Sequence, residues 1–243
     1  MPSQLPFTAL LNCLLHGPVS ALLTQLDLPP KHPLTPIPDY VAMQVLVFLL
    51  LVIFFAAVRA RLSVEKPGGL QHVMESIHGF IDQQSREMIG HGNKPFVSYL
   101  ITLGLFILCC NVLGLFPFLD TPTGNPRVPL GCAVITWFYY HFQGIRAKGF
   151  GYIKNFLGPM WWLAWLLFPI EVVSHLARMV SLTIRLYANM FVGDMVTLVF
   201  FSMVPVVVPA GFMGFHLFVA FIQTYIFILL AMVYLGEAVS HEH

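Results

Sequence analysis

Long apolar runs, separated by short polar stretches, dominate the pattern of this 243-residue chain. A helix that crosses a bilayer needs about 20 predominantly apolar residues. Four regions supply that length: residues 41–58, 97–119, 128–145 and 161–236. The first three contain no Lys, Arg, Asp or Glu, although the third carries a histidine and a glutamine near its end. The pattern therefore predicts an all-α integral membrane protein.

The fourth apolar region is long enough for two helices. Its sequence VPVVVPAG at 204–211 contains two prolines and a glycine, which favour a turn. We therefore predict one helix over about 169–203 and another over about 212–237. The chain then has about five membrane helices, and an odd number places its two termini on opposite sides.

The predicted helix over 169–203 is too long to stand upright in a bilayer. Its 35 residues would extend about 52 Å, whereas the hydrocarbon core is about 30 Å thick. A straight helix would have to tilt by roughly 55° from the membrane normal, against an average of about 20°. Unless it breaks into two pieces, we expect the last two helices to be steeply tilted, with one long face beside a neighbouring molecule.

Two further regions lie outside these spans. Five prolines between residues 29 and 38 make a helix unfavourable, so residues 1–40 are expected to form an irregular arm. Residues 41–243 then form a single multi-pass membrane domain. The loop 67–93 carries apolar residues at a spacing that suits an amphipathic helix on the membrane surface, with a solvated loop helix as the alternative. These apolar residues are Val73, Ile77, Phe80 and Ile81.

Composition supports the membrane assignment and excludes other classes. The chain is 58% hydrophobic and 9% charged, whereas roughly 25% of the residues of a soluble domain are charged. Its net charge of +1 argues against a nucleic-acid partner, because phosphate binding needs clustered Lys and Arg. The four cysteines show neither a CxxC motif nor a histidine at metal-ligand spacing, so we expect no metal site and no cofactor.

The distribution of basic residues predicts the orientation of the chain. Lys and Arg concentrate in the loops 59–96 and 146–154, whereas loop 120–127 holds only Arg127 and loop 204–211 holds no charge. Basic loops stay on the cytoplasmic side of a membrane. The N-terminal arm should therefore lie outside and the C-terminus inside.

A stripe of polar side chains runs along the predicted helix over 169–203. On a 100° helical wheel, five of its residues fall within an arc of about 80°: Glu171, His175, Arg178, Arg185 and Asn189. Ser181 lies at the edge of that arc, and Asp194 lies well outside it. The next helix has a polar face of its own, formed by His216, Gln223 and Tyr234, with Glu237 nearby.

Arg185 is the most unusual member of the stripe. A charge at mid-membrane depth costs several kcal/mol, so it is rare and usually functional. No acid lies within four positions of Arg185, so its partner must come from another helix or another chain. Glu171 and Arg178, in contrast, share one face of the predicted helix and could pair. Polar stripes also hold helices together, but carboxylates and imidazoles can pass protons at neutral pH. Because no catalytic or phosphate-binding motif is present, we expect no enzyme activity from this chain alone.

The motif SLTIRLYANMFVGD at 181–194 carries a family resemblance. Together with the helix GFHLFVAFIQTYIFILLAMVYL and the segment NVLGLFPF, it resembles subunit a of the F-type ATP synthase membrane sector. The pattern R-L-x-x-N-M-x-x-G-[DE] is specific to that family. The resemblance covers roughly residues 40–237 and leaves the N-terminal arm outside.

The resemblance implies a function and assigns residues to it. Subunit a carries ions through two offset half-channels against a rotating ring of c subunits, and this flow drives ATP synthesis. The essential arginine matches Arg185, which faces the carboxylate of the ring. The residues implied for the ion path are Asn189, Asp194, His216 and Gln223 on the outer side, and Glu171, His175 and Ser181 on the inner side.

The resemblance also implies partners and a location. These are the c ring, the b subunits of the peripheral stalk, the F1 catalytic sector and the lipid bilayer, in a bacterial inner membrane. The alternative function is a secondary ion transporter that acts alone. Such transporters have repeated halves with broken helices at matching positions, and no internal repeat is visible here.

Overall fold

A computed structural model describes residues 5–25, 36–63, 68–90, 93–116, 119–149, 164–203 and 207–239. The described residues form helices and no strand, as the apolar pattern predicts. In chain order the helices are α1 (Pro6–Gln25), α2 (Asp39–Ala60), α3 (Gly69–Ile89), α4 (Lys94–Leu113), a 3₁₀ turn (Pro122–Gly124), α5 (Arg127–Lys148), α6 (Ala164–Met203) and α7 (Val207–Val239).

Four of these helices are long and apolar enough to cross a membrane: α2, α4, α6 and α7. The chain is therefore a multi-pass membrane protein. The remaining predicted span, 128–145, lies within helix α5, which is less apolar than the other four. Its passage through the bilayer stays a prediction.

The irregular conformation predicted for residues 1–40 is wrong for residues 6–25, which form α1. The helix is anchored to the start of α2 because Asn12 pairs with both backbone groups of Ile37: its Nδ2 donates to the carbonyl at 3.1 Å, and its Oδ1 accepts from the amide at 3.0 Å. The proline-rich residues 26–35 lie outside the described part of the chain.

The turn predicted at 204–211 is also wrong in part. Residues 207–211 already belong to α7, and residues 204–206 lie outside the described ranges. Helix α6 is 40 residues long and begins at Ala164, five residues before the predicted start. Pro169 lies only one turn and a half inside α6, where its missing N–H removes a single bond of the helical ladder.

The core of the bundle is the contact between α6 and α7, with α5 packed against both and α4 packed against α7. Leu186 and Met190 of α6 and Ala220 and Phe227 of α7 are fully buried in this core. Burying such side chains against each other fixes the two long helices side by side. The polar faces of α6 and α7 are thereby brought together along much of their length.

Helix α3 packs against α4 and α7. Ile81 is buried and Ile77 packs against the same cluster, whereas Val73 and Phe80 are about half exposed. The predicted amphipathic helix is therefore present, although its apolar residues divide between the bundle and the surface. Its contact with the membrane surface stays a prediction.

Helix α3 is tied to the start of α4 through Asp82. The carboxylate of Asp82 accepts a hydrogen bond from Asn93 at 2.8 Å, and both Nε and Nη2 of Arg86 donate to it. The hydrogen bonds from Arg86 and then Asn93 hold the pKa of Asp82 below its usual value.

Candidate functional site

Arg185 lies near the middle of α6, between the fully buried Leu186 and the exposed Ile184. Its side chain is partly buried. No ion pair or hydrogen bond joins the guanidinium to any residue that the structure describes. A partner for Arg185 from another chain stays a prediction.

One turn further along α6, Asn189 meets α7. Its Nδ2 donates a hydrogen bond to Oε1 of Gln223 at 2.8 Å. Gln223 is 2% exposed, whereas Asn189 lies at the edge of a groove between the two helices. This bond joins two residues that the sequence placed on separate polar faces.

Asp194 and His216 form the next polar contact towards the end of α6. The Nδ1 of His216 lies 3.7 Å from Oδ1 of Asp194, and its Nε2 lies 3.3 Å from the sulfur of Met190. His216 is buried, and Gly193 makes room for it: a Cβ at that position would lie 3.0 Å from the imidazole ring. Larger residues at 193 would displace the ring.

A cavity of about 430 Å³ opens between α6 and α7 beside these residues. Its lining includes Asn189, Gly193, Thr197, Phe215 and His216. A cavity of this size holds several water molecules where its walls offer polar partners. The polar groups of Asn189 and His216 are such partners.

The segment between α4 and α5 covers the same end of the site. The Thr121 hydroxyl lies within hydrogen-bonding reach of the Asp194 carboxylate, and the carboxylate of Asp120 lies nearby. Burial, and then the charge of Asp39, raises the pKa of Asp120. Acidic groups thus gather where the loop meets the end of α6.

This covering segment is held in place by a buried hydrogen-bond network. The Thr123 hydroxyl donates to Oδ1 of Asn111 at 2.7 Å, and Nδ2 of Asn111 donates to the Thr224 hydroxyl at 3.4 Å. All three residues are buried. The network joins α4, the 3₁₀ turn and α7. The sequence analysis did not predict this network, because isolated threonines among apolar residues show no periodic pattern that would reveal their partners.

A second polar group lies at the opposite end of the bundle. Nε2 of His175 lies 3.3 Å from Oε1 of Glu171, and its Nδ1 lies 3.0 Å from the Tyr140 hydroxyl. Tyr140 belongs to α5 and was missed by the sequence analysis. Its pairing could not be read from one helix, because the contact spans 35 residues.

Arg178 pairs with Glu237 of α7 through Nη1 and Nη2 of its guanidinium, the bond from Nη2 at 3.1 Å. The guanidinium also lies over the ring of Tyr234, 5.1 Å from its centroid. The pairing between Arg178 and Glu171 that the sequence suggested is therefore wrong. Ser181 is exposed on the surface of α6, one turn before Arg185.

The predicted site residues thus form two groups on either side of Arg185. The group predicted for the outer side, called the outer group, is Asn189, Asp194, His216 and Gln223. The group predicted for the inner side, called the inner group, is Glu171 and His175. His175 and Asp194 lie ten and nine residues from Arg185 along α6, or about 15 Å and 14 Å. Within the described ranges, no three His, Cys, Asp or Glu side chains are placed to hold a metal ion.

Comparisons with known proteins match the chain to one family. A family profile described as "ATP synthase A chain" matches residues 41–236. The protein called ATP synthase subunit a in Koribacter versatilis (strain Ellin345) is 59% identical over the full length of both chains. The proteins of that name in Solibacter usitatus and Geobacter sp. (strain M21) are 48% and 42% identical over 84% of this chain, and cover 88% and 89% of their own lengths.

Proposed function

This chain belongs to the ATP synthase subunit a family, the ion-translocating membrane subunit, and from that premise we propose a two-half-channel mechanism for it. In this proposal, protons cross the membrane through two separate paths in subunit a, and a rotating c ring carries them from one path to the other. The observation that carries the proposal is Arg185, a partly buried cation with no acidic partner in the described chain, which lies between two groups of polar residues.

The outer path is assigned to the group around the cavity between α6 and α7. A proton from outside would pass Asp194 and His216, which lie 3.7 Å apart, and then the hydrogen-bonded pair Asn189 and Gln223. Aspartate and histidine accept and release protons, and the amides hold water in position between them. The proton then neutralises a carboxylate on the ring.

Neutralisation allows the ring to turn. An uncharged carboxylic acid costs far less to move into lipid than a carboxylate does. After almost a full turn the acid would reach the inner path, assigned to Glu171, His175 and Ser181, and lose its proton. A potential of 100 mV supplies about 2.3 kcal/mol for each proton, so several protons per turn accumulate the energy for ATP synthesis in the F1 sector.

Arg185 would separate the two paths. A fixed positive charge favours the ionised form of an acid beside it, so the ring carboxylate stays ionised as it passes. Arginine suits this position better than lysine, because a guanidinium does not give up its proton in proteins. A lysine could release its proton and pass it directly from one path to the other.

The chain belongs to a complex, and its partners follow from the same assignment. We propose that the exposed face of α6 around Ile184 lies against the c ring, and that the b subunits hold the chain against rotation. We place the complex in a bacterial inner membrane, with the N-terminus outside and the C-terminus inside. The relatives that support this location are bacterial proteins.

The test replaces Arg185 by alanine. We expect Arg185→Ala to abolish ATP-driven proton pumping in inverted membrane vesicles, because no other group would keep the ring acid ionised. Assembly should persist, since Arg185 makes no ion pair in the described chain, and the subunit content of the purified complex measures it.

Arg178→Gln is the matched control on the same helix. It removes the ion pair with Glu237, so it should lower the amount or the thermal stability of the complex while the assembled molecules still pump. Normal pumping by the Arg185→Ala complex would refute the proposal. Ion transport by the purified chain without its partners would favour a secondary transporter instead.

A further inference from the structure

The histidine of the inner group is held by a second helix, which the function proposed above does not use. His175 is buried on α6, and one side of its ring faces Tyr140 of α5, which is 3% exposed. The other side faces Glu171, whose side chain is 37% exposed. The three side chains form a row from the protein interior to the surface.

The chemistry of the row fixes the proton on the imidazole. An ionised carboxylate only accepts hydrogen bonds, so the Nε2 that lies 3.3 Å from Glu171 has to carry a hydrogen. In a neutral imidazole the other nitrogen is then an acceptor. The Tyr140 hydroxyl, 3.0 Å from Nδ1, supplies the donor that this tautomer needs.

We propose that Tyr140 is a positioning residue of the inner proton path. By donating to Nδ1, it holds the ring of His175 with Nε2–H directed at Glu171, and so keeps the carboxylate turned towards the path. Glu171 then takes a proton from the ring acid, directly or through water, and releases it to water on the inner side. This inference rests on the proposed function and adds α5 to the inner path.

The hydroxyl suits both protonation states of His175. If the ring gains a proton at Nδ1, the hydroxyl rotates and accepts where it previously donated, so the geometry survives. Other charged and titratable groups also face this ring. His141 of α5 lies with its ring centroid 4.8 Å away, Arg178 lies on α6, and Glu237 lies on α7. Tyr234 of α7 faces Tyr140, with the two ring centroids 6.0 Å apart.

A structural role for Tyr140 is the competing explanation, because buried tyrosines normally find a partner for their hydroxyl. Such a role would change stability alone. Positioning would also change proton transfer and the tautomer of His175. The adjacent Tyr139 gives a matched control, since it is stacked on Tyr99 and lies on another face of α5.

The first experiment compares Tyr140→Phe with Tyr139→Phe in the whole complex. ATP-driven proton uptake is measured in inverted vesicles from about pH 5 to about pH 8, the range in which imidazoles change charge. Relative to Tyr139→Phe, we expect Tyr140→Phe to slow uptake about fivefold, the size expected for one hydrogen bond. The pH at half-maximal uptake should also move. Equal rates and equal profiles in the two variants would overturn the proposal.

The second experiment does not depend on the stability of Tyr140→Phe. In the ¹⁵N-histidine-labelled complex, the signal of His175 is identified by its loss in His175→Gln. We expect its nitrogen shifts to show the Nε2–H tautomer in the unmodified complex. The Nδ1–H tautomer there would overturn the proposal, even if Tyr140→Phe failed to assemble.

The two proposals fail separately. Normal pumping by Arg185→Ala would remove the proposed function and this inference with it. If Arg185→Ala is inactive, but Tyr140→Phe matches Tyr139→Phe in rate and in pH profile, only the role of Tyr140 is lost.

Discussion

Two arginines seven residues apart on α6 have opposite surroundings. Arg178 pairs with Glu237 through two hydrogen bonds and lies over Tyr234, whereas Arg185 has no partner in the described chain. A cation paired with a carboxylate of a neighbouring helix contributes to packing. An unpaired cation near the centre of an apolar helix costs several kcal/mol unless a partner from outside the chain compensates it. In the proposed mechanism, this contrast favours Arg185 over Arg178 as the residue that a ring acid would meet.

Asp194 offers a residue-scale test of the outer path. Asp194→Asn keeps the size of the side chain but removes its ability to take up a proton. We expect proton flux to fall about tenfold, less than the full contribution of a positioned proton-transfer group, because water can partly replace it. His216→Ala should have a similar effect, because its imidazole lies 3.7 Å from that carboxylate. The measurement is ATP-driven pumping in inverted vesicles.

Neither variant should make the membrane leak, because Arg185 still separates the two paths. Passive proton conductance, measured in vesicles without ATP, checks this point. Thr197→Val is the control, since Thr197 lines the same cavity but does not titrate. A leaking Asp194→Asn complex, or one that pumps as fast as Thr197→Val, would remove Asp194 from the path.

At the scale of elements, the long apolar helices were predictable and their partners were not. Helix α6 ends at Met203, the end that the sequence predicts. The wheel placed Glu171 and Arg178 on one face, yet seven residues along a helix span about 10.5 Å, too far for a direct pair. Glu171 instead pairs with His175, and Arg178 pairs with Glu237 of α7. A helical wheel of a single helix cannot show a neighbour on another helix.

Helix α1 is a helix that the sequence analysis did not predict. Its interior contains Gly17 and Pro18, and a proline-rich segment follows it, so local propensity argues against a helix. Packing on α2 and the hydrogen bonds between Asn12 and Ile37 supply the support that the local sequence lacks. Contacts between residues 25 positions apart leave no periodic signal, so tertiary structure decides here.

The packing of α7 against α3 gives an element-scale prediction. A Cβ at Gly236 would lie 2.6 Å from the carbonyl oxygen of Met88, a backbone atom that cannot rotate away. Gly236→Ala should therefore push the end of α3 from α7 and lower the thermal stability of the purified complex. We expect a loss of about 1–3 kcal/mol, the usual range for overpacking.

Gly214→Ala is the control for this prediction, because it lies on the same helix and its added Cβ would meet nothing within 4 Å. Alanine favours a helix over glycine by about 1 kcal/mol, so this variant should be neutral or more stable. Equal stability of the two variants would show that α3 does not pack closely against α7.

In the molecule as a whole, the two polar groups lie at opposite ends of the bundle and meet different elements. The outer group lies beside the segment between α4 and α5, and the inner group lies beside the last turns of α5 and α7. Helix α6 is the element that carries residues of both groups. A proton that crossed the membrane inside this chain would therefore have to pass Arg185. In the proposed mechanism, the rotating c ring carries the proton from one group to the other, so the proton does not pass Arg185.

The assignment of outer and inner ends depends on the orientation of the chain, which is the last prediction. In a variant whose four cysteines are replaced by serine, single cysteines are introduced by Glu75→Cys on α3 and Pro126→Cys before α5, both at exposed positions. Because basic residues keep loop 59–96 inside, a membrane-impermeant thiol reagent should label Glu75→Cys only in inverted vesicles and Pro126→Cys only in right-side-out vesicles. The reverse pattern would exchange the two paths and turn Glu171 into an outer residue. Labelling of both cysteines from the same side would mean that α4 does not cross the membrane, because α4 is the one predicted crossing between the two positions.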